Sequence, residues 1–263
     1  MTNSPCISII TISFNNEADI EPTLQSVALQ DYPNIEYIVV DGASTDGTLE
    51  IIDRYRNVID KVISESDDGM YEAINKGIKI ARGEIIGLIH AGDRLYSSNI
   101  VSCIAEQFDT QDIEAIYGHS VHVDSNDHVV RVNRSPTFSR GVIRRGWMPS
   151  HQSIYMKKSL IDQNGDYRTD LGGNGDYEFF IRHFYKFPIR VVRLNEFVIR
   201  FALGGSSTTS YHRIFHRQKI HADCWRLNGL SPPALLIPLK LARKVPQFIR
   251  GFMRRAGLAR NAH

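Results

Sequence analysis

Asp93 is the position where residue type and spacing point most directly to chemistry. It closes His90-Ala91-Gly92-Asp93, directly behind the apolar run 85–89. A buried strand ending there would release the carboxylate at the mouth of a sheet, with only Ala91 and Gly92 leading up to it. Divalent cations that travel with phosphates need one or two such carboxylates and take their remaining oxygens from substrate and water. Capping of the next helix is the competing use of an aspartate at such a place. Asp41 follows a second apolar run, in Val40-Asp41-Gly42-Ala43-Ser44-Thr45-Asp46-Gly47. Short acceptors there can receive N–H and hydroxyl donors of a base and ribose, and turn building accounts for the same residue types equally well.

The elements around these residues alternate. The β-rich run 7–12 ends at Ser13-Phe14-Asn15-Asn16, and Ile20, Leu24, Val27 and Ala28 then repeat as one face of a helix. Tyr37 to Val40 reads as a second strand, Leu49, Ile52 and Tyr55 as a second helix, and 62–64 as a short strand. A third helical stripe, Met70, Ile74, Ile78 and Ala81, stops at Gly83 before the apolar strand 85–89. Strand–helix alternation with short connections implies an α/β fold with a mostly parallel sheet flanked by helices. Ligands of such sheets bind at the carboxyl ends of the strands. The loops 14–16, 41–46 and 90–94 therefore share one location. Beyond a helix near 100–108 the pattern changes: strands at 116–117, 120–123 and 129–132, with a hairpin around Ser125-Asn126-Asp127, a helix near 177–185, a strand pair at 189–192 and 197–201, and a loop at 204–209.

Composition narrows the class. At 263 residues, 42% apolar and 23% charged, the chain is an ordinary globular protein with room for one large domain. Its three cysteines are scattered, against a disulfide framework or a cysteine-built zinc site. No secretory signal and no run of about 18 apolar residues is present, so a cytoplasmic location is expected. Residues 231–263 hold seven basic and no acidic residues, so with a net charge of +2 the remainder carries a net −5. An acidic body argues against nucleic acid as a partner.

Four ordered blocks now carry a resemblance. The segment Ile7-Ser8-Ile9-Ile10-Thr11-Ile12-Ser13-Phe14-Asn15, the Asp41 loop, the segment from Glu65 through Asp67 to Gly77 and the segment Ala81 to Asp93 together resemble glycosyltransferase family 2. The likeness implies a GT-A (Rossmann-like) fold and inverting transfer from a nucleotide-sugar, most commonly a UDP-sugar. By that resemblance Thr11, Ser13 and Phe14 line the nucleobase pocket, Asp41 reads the base, and Asp67 belongs to the nucleoside pocket. Asp93 matches the last acid of the metal-binding DxD element and so implies Mn²⁺ or Mg²⁺, while His90 stands in place of an earlier acid. In the segment 172–182, Asp176 matches the general base, with Glu178 as the alternative. His151 and Gln152, in Pro149-Ser150-His151-Gln152-Ser153, resemble a segment of the polysaccharide-biosynthesis members. His151 would bind acceptor or donor phosphate, or be a structural histidine. The loop 204–209 with Tyr211, His212, Arg213, His216 and Arg217 resembles a segment closing over the diphosphate.

The expected organisation is a domain at 1–230, with a nucleotide-binding half (1–115) and an acceptor or catalytic half (116–230), and a C-terminal basic amphipathic helical tail at 231–263. In that tail Phe248, Ile249, Phe252, Met253 and Ala256 form a stripe, with Arg250 and Arg254 on its other side, a pattern suited to an anionic membrane surface. The expected activity is hexosyl- or N-acetylhexosaminyl transfer to a glycan or lipid-linked acceptor in surface polysaccharide biosynthesis, peripherally on the inner face of the membrane, with a homo-oligomer as a compatible state. A non-catalytic nucleotide- or glycan-binding protein on the same scaffold is the alternative.

Overall fold

The computed structural model describes residues 4–202 and 220–234. Its first part is the alternating series β1 (Ile7–Ser13), α1 (Ile20–Ala28), β2 (Ile35–Asp41), α2 (Thr48–Arg54), β3 (Lys61–Ser64), α3 (Met70–Ile80) and β4 (Ile85–His90). These four strands pair in parallel in the order β3-β2-β1-β4. β1 is buried at every position, which is why it reads as an almost unbroken apolar run. Ile10 and Ile12 enter the layer beneath α3, whereas Ile7 and Ile9 enter the opposite layer with Ile20 and Leu24 of α1. Register levels the strand ends: Ser13 lies opposite Asp41, Ile12 opposite His90, and Asp41 opposite Ser64. Three loops therefore open side by side.

Two helical stripes differ from the sequence expectation. On α1 the buried set is Ile20, Thr23, Leu24 and Val27, with Ala28 exposed. On α3 it is Tyr71, Ala73, Ile74, Gly77 and Ile78, while Met70 stays exposed. Both exchanges serve the loops: Thr23 and Tyr71 spend their hydroxyls on site residues. α3 lies so close to β1 that a Cβ on Gly77 would come within 2.4 Å of Ile10.

The second part is mixed: β5 (Arg94–Leu95), α4 (Ile100–Thr110), β6 (Ala115–Val123), β7 (Val129–Asn133), α5 (Arg140–Arg144), β8 (Ile154–Lys157), α6 (Lys158–Asn164), α7 (Gly175–Ile181) and β9 (Val191–Ala202). The sheet continues past β4 as β8-β6-β9-β5, with β7 paired to β6. β8 is antiparallel to both β4 and β6, and β9 is parallel to β6. The hairpin expected around Asn126 joins β6 to β7. The expected strand pair at 189–201 is instead one 12-residue strand, β9. Asn195 and Glu196 resemble a turn in sequence, but they form a bulge: Tyr117 pairs with Arg193 while His119 pairs with Phe197. A final helix, α8 (220–227), packs on α7 through Trp225, fully buried, whose Nε1 donates to the Tyr177 hydroxyl at 3.0 Å. The loop 204–209, Tyr211, His212, Arg213, His216, Arg217 and the amphipathic stripe of the tail lie outside the described residues. Among those described, no helix is long and apolar enough to cross a membrane.

Candidate functional site

A cavity of about 710 Å³ opens at the carboxyl ends of β1 and β4, walled in part by Ser13, Phe14, Asp67, Met70, His90 and Asp93. Phe14 offers an exposed ring, and the Ser13 hydroxyl is buried without a hydrogen-bond partner among the described residues. Asp67 takes the Gly69 N–H on Oδ1 at 2.9 Å, and a Cβ on Gly42 would come within 2.8 Å of its other oxygen. Thr11 and Asp41 are placed differently. Thr11 is fully buried and bonded to the Tyr37 hydroxyl at 2.9 Å. Asp41 is equally inaccessible: its carboxylate accepts the Ser44 N–H (2.8 Å), the Ser44 hydroxyl and the Ser64 hydroxyl (2.9 Å). Neither side chain lines the cavity.

Asp93 sits on a turn that α1 holds in place. Thr23 Oγ1 donates to the Asp93 carbonyl at 2.7 Å and accepts the Gly92 N–H at 3.0 Å, with Gly92 in the left-handed region at φ +95°. The capping alternative fails, because the cap of the following helix is Asn99. Asp93 Oδ1 accepts the Ala202 N–H at 3.1 Å. Burial pushes its pKa up to about 6, against the opposing pull of a hydrogen bond from Gln152, the Ala202 N–H and the charge of His151. Gln152 is buried, and its Oε1 has no hydrogen-bond partner among the described residues. Also among the described residues, no group of three or more His, Cys, Asp or Glu side chains gathers for a metal.

His151 links His90, at the end of β4, to Asp176. Its Nδ1 is 3.7 Å from Asp176 Oδ2, and its Nε2 is 3.1 Å from Nε2 of His90. Burial, and then the charge of His151, hold the His90 pKa well below the ordinary histidine value, with Asp176 opposing. His90 is therefore neutral at physiological pH. Asp176 lies within the first turn of α7, where Asn174 is the cap residue. Its Oδ1 accepts the Tyr177 N–H at 2.7 Å and the Tyr71 hydroxyl at 3.2 Å. Burial alone would raise its pKa, but His151, the Tyr177 N–H and the Tyr71 hydroxyl outweigh burial and leave it lowered. The result is a half-buried, ionised carboxylate contacted by His151, the Tyr177 N–H and the Tyr71 hydroxyl.

Glu178, the alternative base, is engaged by its surroundings. It is 2% exposed, paired with Arg182 through both oxygens (3.0 and 2.9 Å) and bonded to Asn228 at 3.0 Å. Sequence reasoning passed over Tyr71 and Thr23, and took His90 only as a departure from a motif. A histidine ending an otherwise apolar strand was the one available signal.

Residues 8–167 match the family model described as Glycosyl transferase family 2. An uncharacterized glycosyltransferase of Mycobacterium tuberculosis is 30% identical over 188 residues, 69% of this chain and 70% of that protein. A PGL/p-HBAD biosynthesis glycosyltransferase of Mycobacterium bovis is 28% identical over 218 residues, 81% of this chain and 83% of that one. The crystal structure of S. aureus TarS 1–349 in complex with UDP-GlcNAc superposes with a TM-score of 0.67 at 21% identity, over 93% of this chain and 79% of that one. In another crystal structure of TarS 1–349 the match takes in 85% of this chain and 64% of that chain. The shared architecture is the GT-A fold. With more than half its length in the family model, including Asp67, Asp93 and His151, this chain belongs to glycosyltransferase family 2.

Proposed function

We propose that the protein transfers a hexosyl or N-acetylhexosaminyl group, with inversion, from a UDP-sugar to a glycan or lipid-linked acceptor in surface polysaccharide or glycolipid assembly. The observation that carries this reading is Asp176: a half-buried, ionised carboxylate joined through His151 to His90, which walls the same cavity as Asp93. The acceptor class is supported by the biosynthetic name of the M. bovis relative, and the donor class by the UDP-GlcNAc bound to TarS.

In this mechanism the nucleoside enters between Phe14 and Asp67, and the buried Ser13 hydroxyl gains a hydrogen bond from it. Thr11 and Asp41, both buried, shape the ends of β1 and β2 beside Ser13 and Phe14. His151 and Gln152 hold the carboxylates of Asp176 and Asp93 in fixed relation. The acceptor oxygen forms its bond to the anomeric carbon as the bond from that carbon to the diphosphate oxygen breaks. The electron pair leaves with the diphosphate, and the acceptor proton passes to Asp176. Asp93 fits a Mn²⁺ or Mg²⁺ site, since burial has raised its pKa and a cation relieves that cost. When bound, such an ion neutralises the charge developing on the departing diphosphate.

Asp176→Asn tests the assignment. Binding of UDP-GlcNAc, read by calorimetry, should stay within about threefold of wild type, while turnover falls by roughly 10²–10⁴. Wild-type turnover in that variant would remove Asp176 as the base.

A further inference from the structure

A second cleft, of about 250 Å³, lies between the residues that open α3 (68–72) and the turn that carries Thr169, Gly172 and Gly173. We propose that it is the acceptor subsite and that it selects an uncharged sugar ring over a uronate or a phosphorylated one. The inference rests on the reading of Asp176 as the base.

Position is the first argument. Among the described residues the cleft shares only Gly69 and Met70 with the larger cavity. Met70, exposed at the first position of α3, thus borders both spaces. Tyr71 forms part of the cleft wall, and its hydroxyl bonds to Asp176 at 3.2 Å. Inversion requires the acceptor to approach the sugar from the side opposite the diphosphate, with its hydroxyl beside the base. Of the two spaces, the one walled by Tyr71 meets that demand once the donor fills the other.

Shape is the second. Gly69 (φ +120°) and Gly172 (φ +53°) both face open space, since a Cβ on either would have no neighbour within 4 Å. The walls there are bare backbone. The volume is below the roughly 300–1,000 Å³ of sites for drug-sized ligands and suits a single ring.

Charge is the third. Among the described residues, Asp68 and Glu72 are the acids of the wall, and no lysine, arginine or histidine lines it. Glu72 Oε2 accepts the Asp68 N–H at 2.7 Å, and Lys76 meets Glu72 at 3.5 Å while also pairing with Glu65 at 3.1 Å. Sugar hydroxyls would donate to these acids. A uronate or phosphate would bring a like charge against them with no cation in the wall to offset it.

The test uses the whole protein with UDP-GlcNAc and Mn²⁺, octyl glucoside as a neutral acceptor and octyl glucuronide as its anionic match. Transfer is followed by mass spectrometry and donor hydrolysis by UDP release. Transfer to the glucoside at least tenfold better than to the glucuronide supports the proposal. Thr169→Trp, at an exposed turn position, should raise the glucoside KM at least tenfold while leaving donor KM and UDP release unchanged. Asp68→Lys should shift the glucuronide-to-glucoside ratio of kcat/KM upward about tenfold. Equal use of the two acceptors, transfer to neither with donor hydrolysis intact, or a Thr169→Trp enzyme with an unaltered acceptor KM overturns the proposal while leaving the glycosyltransferase reading standing. Absence of both transfer and UDP release in the wild type defeats that reading, and the subsite with it.

Discussion

Replacing Asp93 with asparagine should make the protein more stable at pH 8 while removing metal-supported donor binding. The carboxyl pKa stands at about 6 in the fold, against 3.8 for a solvated aspartate. At about 1.4 kcal/mol per unit, a displacement of roughly two units places a ceiling near 3 kcal/mol on the cost of ionising it, and residual solvent contact lowers the working range to about 1–3 kcal/mol. The sign follows from proton binding. Between pH 4 and 6 the folded state holds this proton more tightly than the unfolded chain, so stability falls as pH rises through that window, and the full cost persists above it. Asparagine keeps a carbonyl oxygen for the Ala202 N–H and carries no charge. Thermal melts at pH 5 and pH 8, with and without Mn²⁺ and UDP, read both halves. At about 2–4 °C per kcal/mol for a chain of this size, the variant should melt several degrees above wild type at pH 8, and the difference should shrink at pH 5. Wild type should gain further stability from Mn²⁺ with UDP, and the variant should not. A variant that melts lower at pH 8, or that still responds to Mn²⁺ with UDP, would refute the reasoning.

Tyr71→Phe removes one of the hydrogen bonds that lower the Asp176 pKa, so the acid limb of the kcat profile should move to higher pH, with turnover down about tenfold; a pH–rate series checks it. Arg182→Met strands the buried Glu178 carboxylate and should cost roughly 3–5 kcal/mol in urea unfolding, against a loss below 1 kcal/mol if the pair contributes nothing.

The parallel part of the fold was legible because β1, β2 and β4 are covered on both faces, which forces nearly continuous apolar runs. The mixed part was less so. β8 is only four residues long, and its partners are remote in the chain. β9 carries Asn195 and Glu196 in a bulge that imitates a turn. At the site, Asp93 announced itself by following a buried strand. The pairing of His90 with His151 across 61 positions, and of Tyr71 with Asp176 across 105, is a product of tertiary folding that no local pattern encodes. The burial of Thr11 and Asp41, with their hydrogen bonds to Tyr37, Ser44 and Ser64, is likewise a tertiary detail that motif position does not announce.

The placement of β8 has a consequence for how the chain can be assembled. Ile85 at the start of β4 waits for Lys157, and Gly87 for Tyr155, so the apolar flank of the N-terminal segment stays open until much later residues arrive. A nascent or truncated polypeptide ending near position 115 would present that flank as an unpaired, flat template for copies of itself. Expression of the first half alone should therefore yield aggregate, and recovery of native material should depend on co-supplying the later segment.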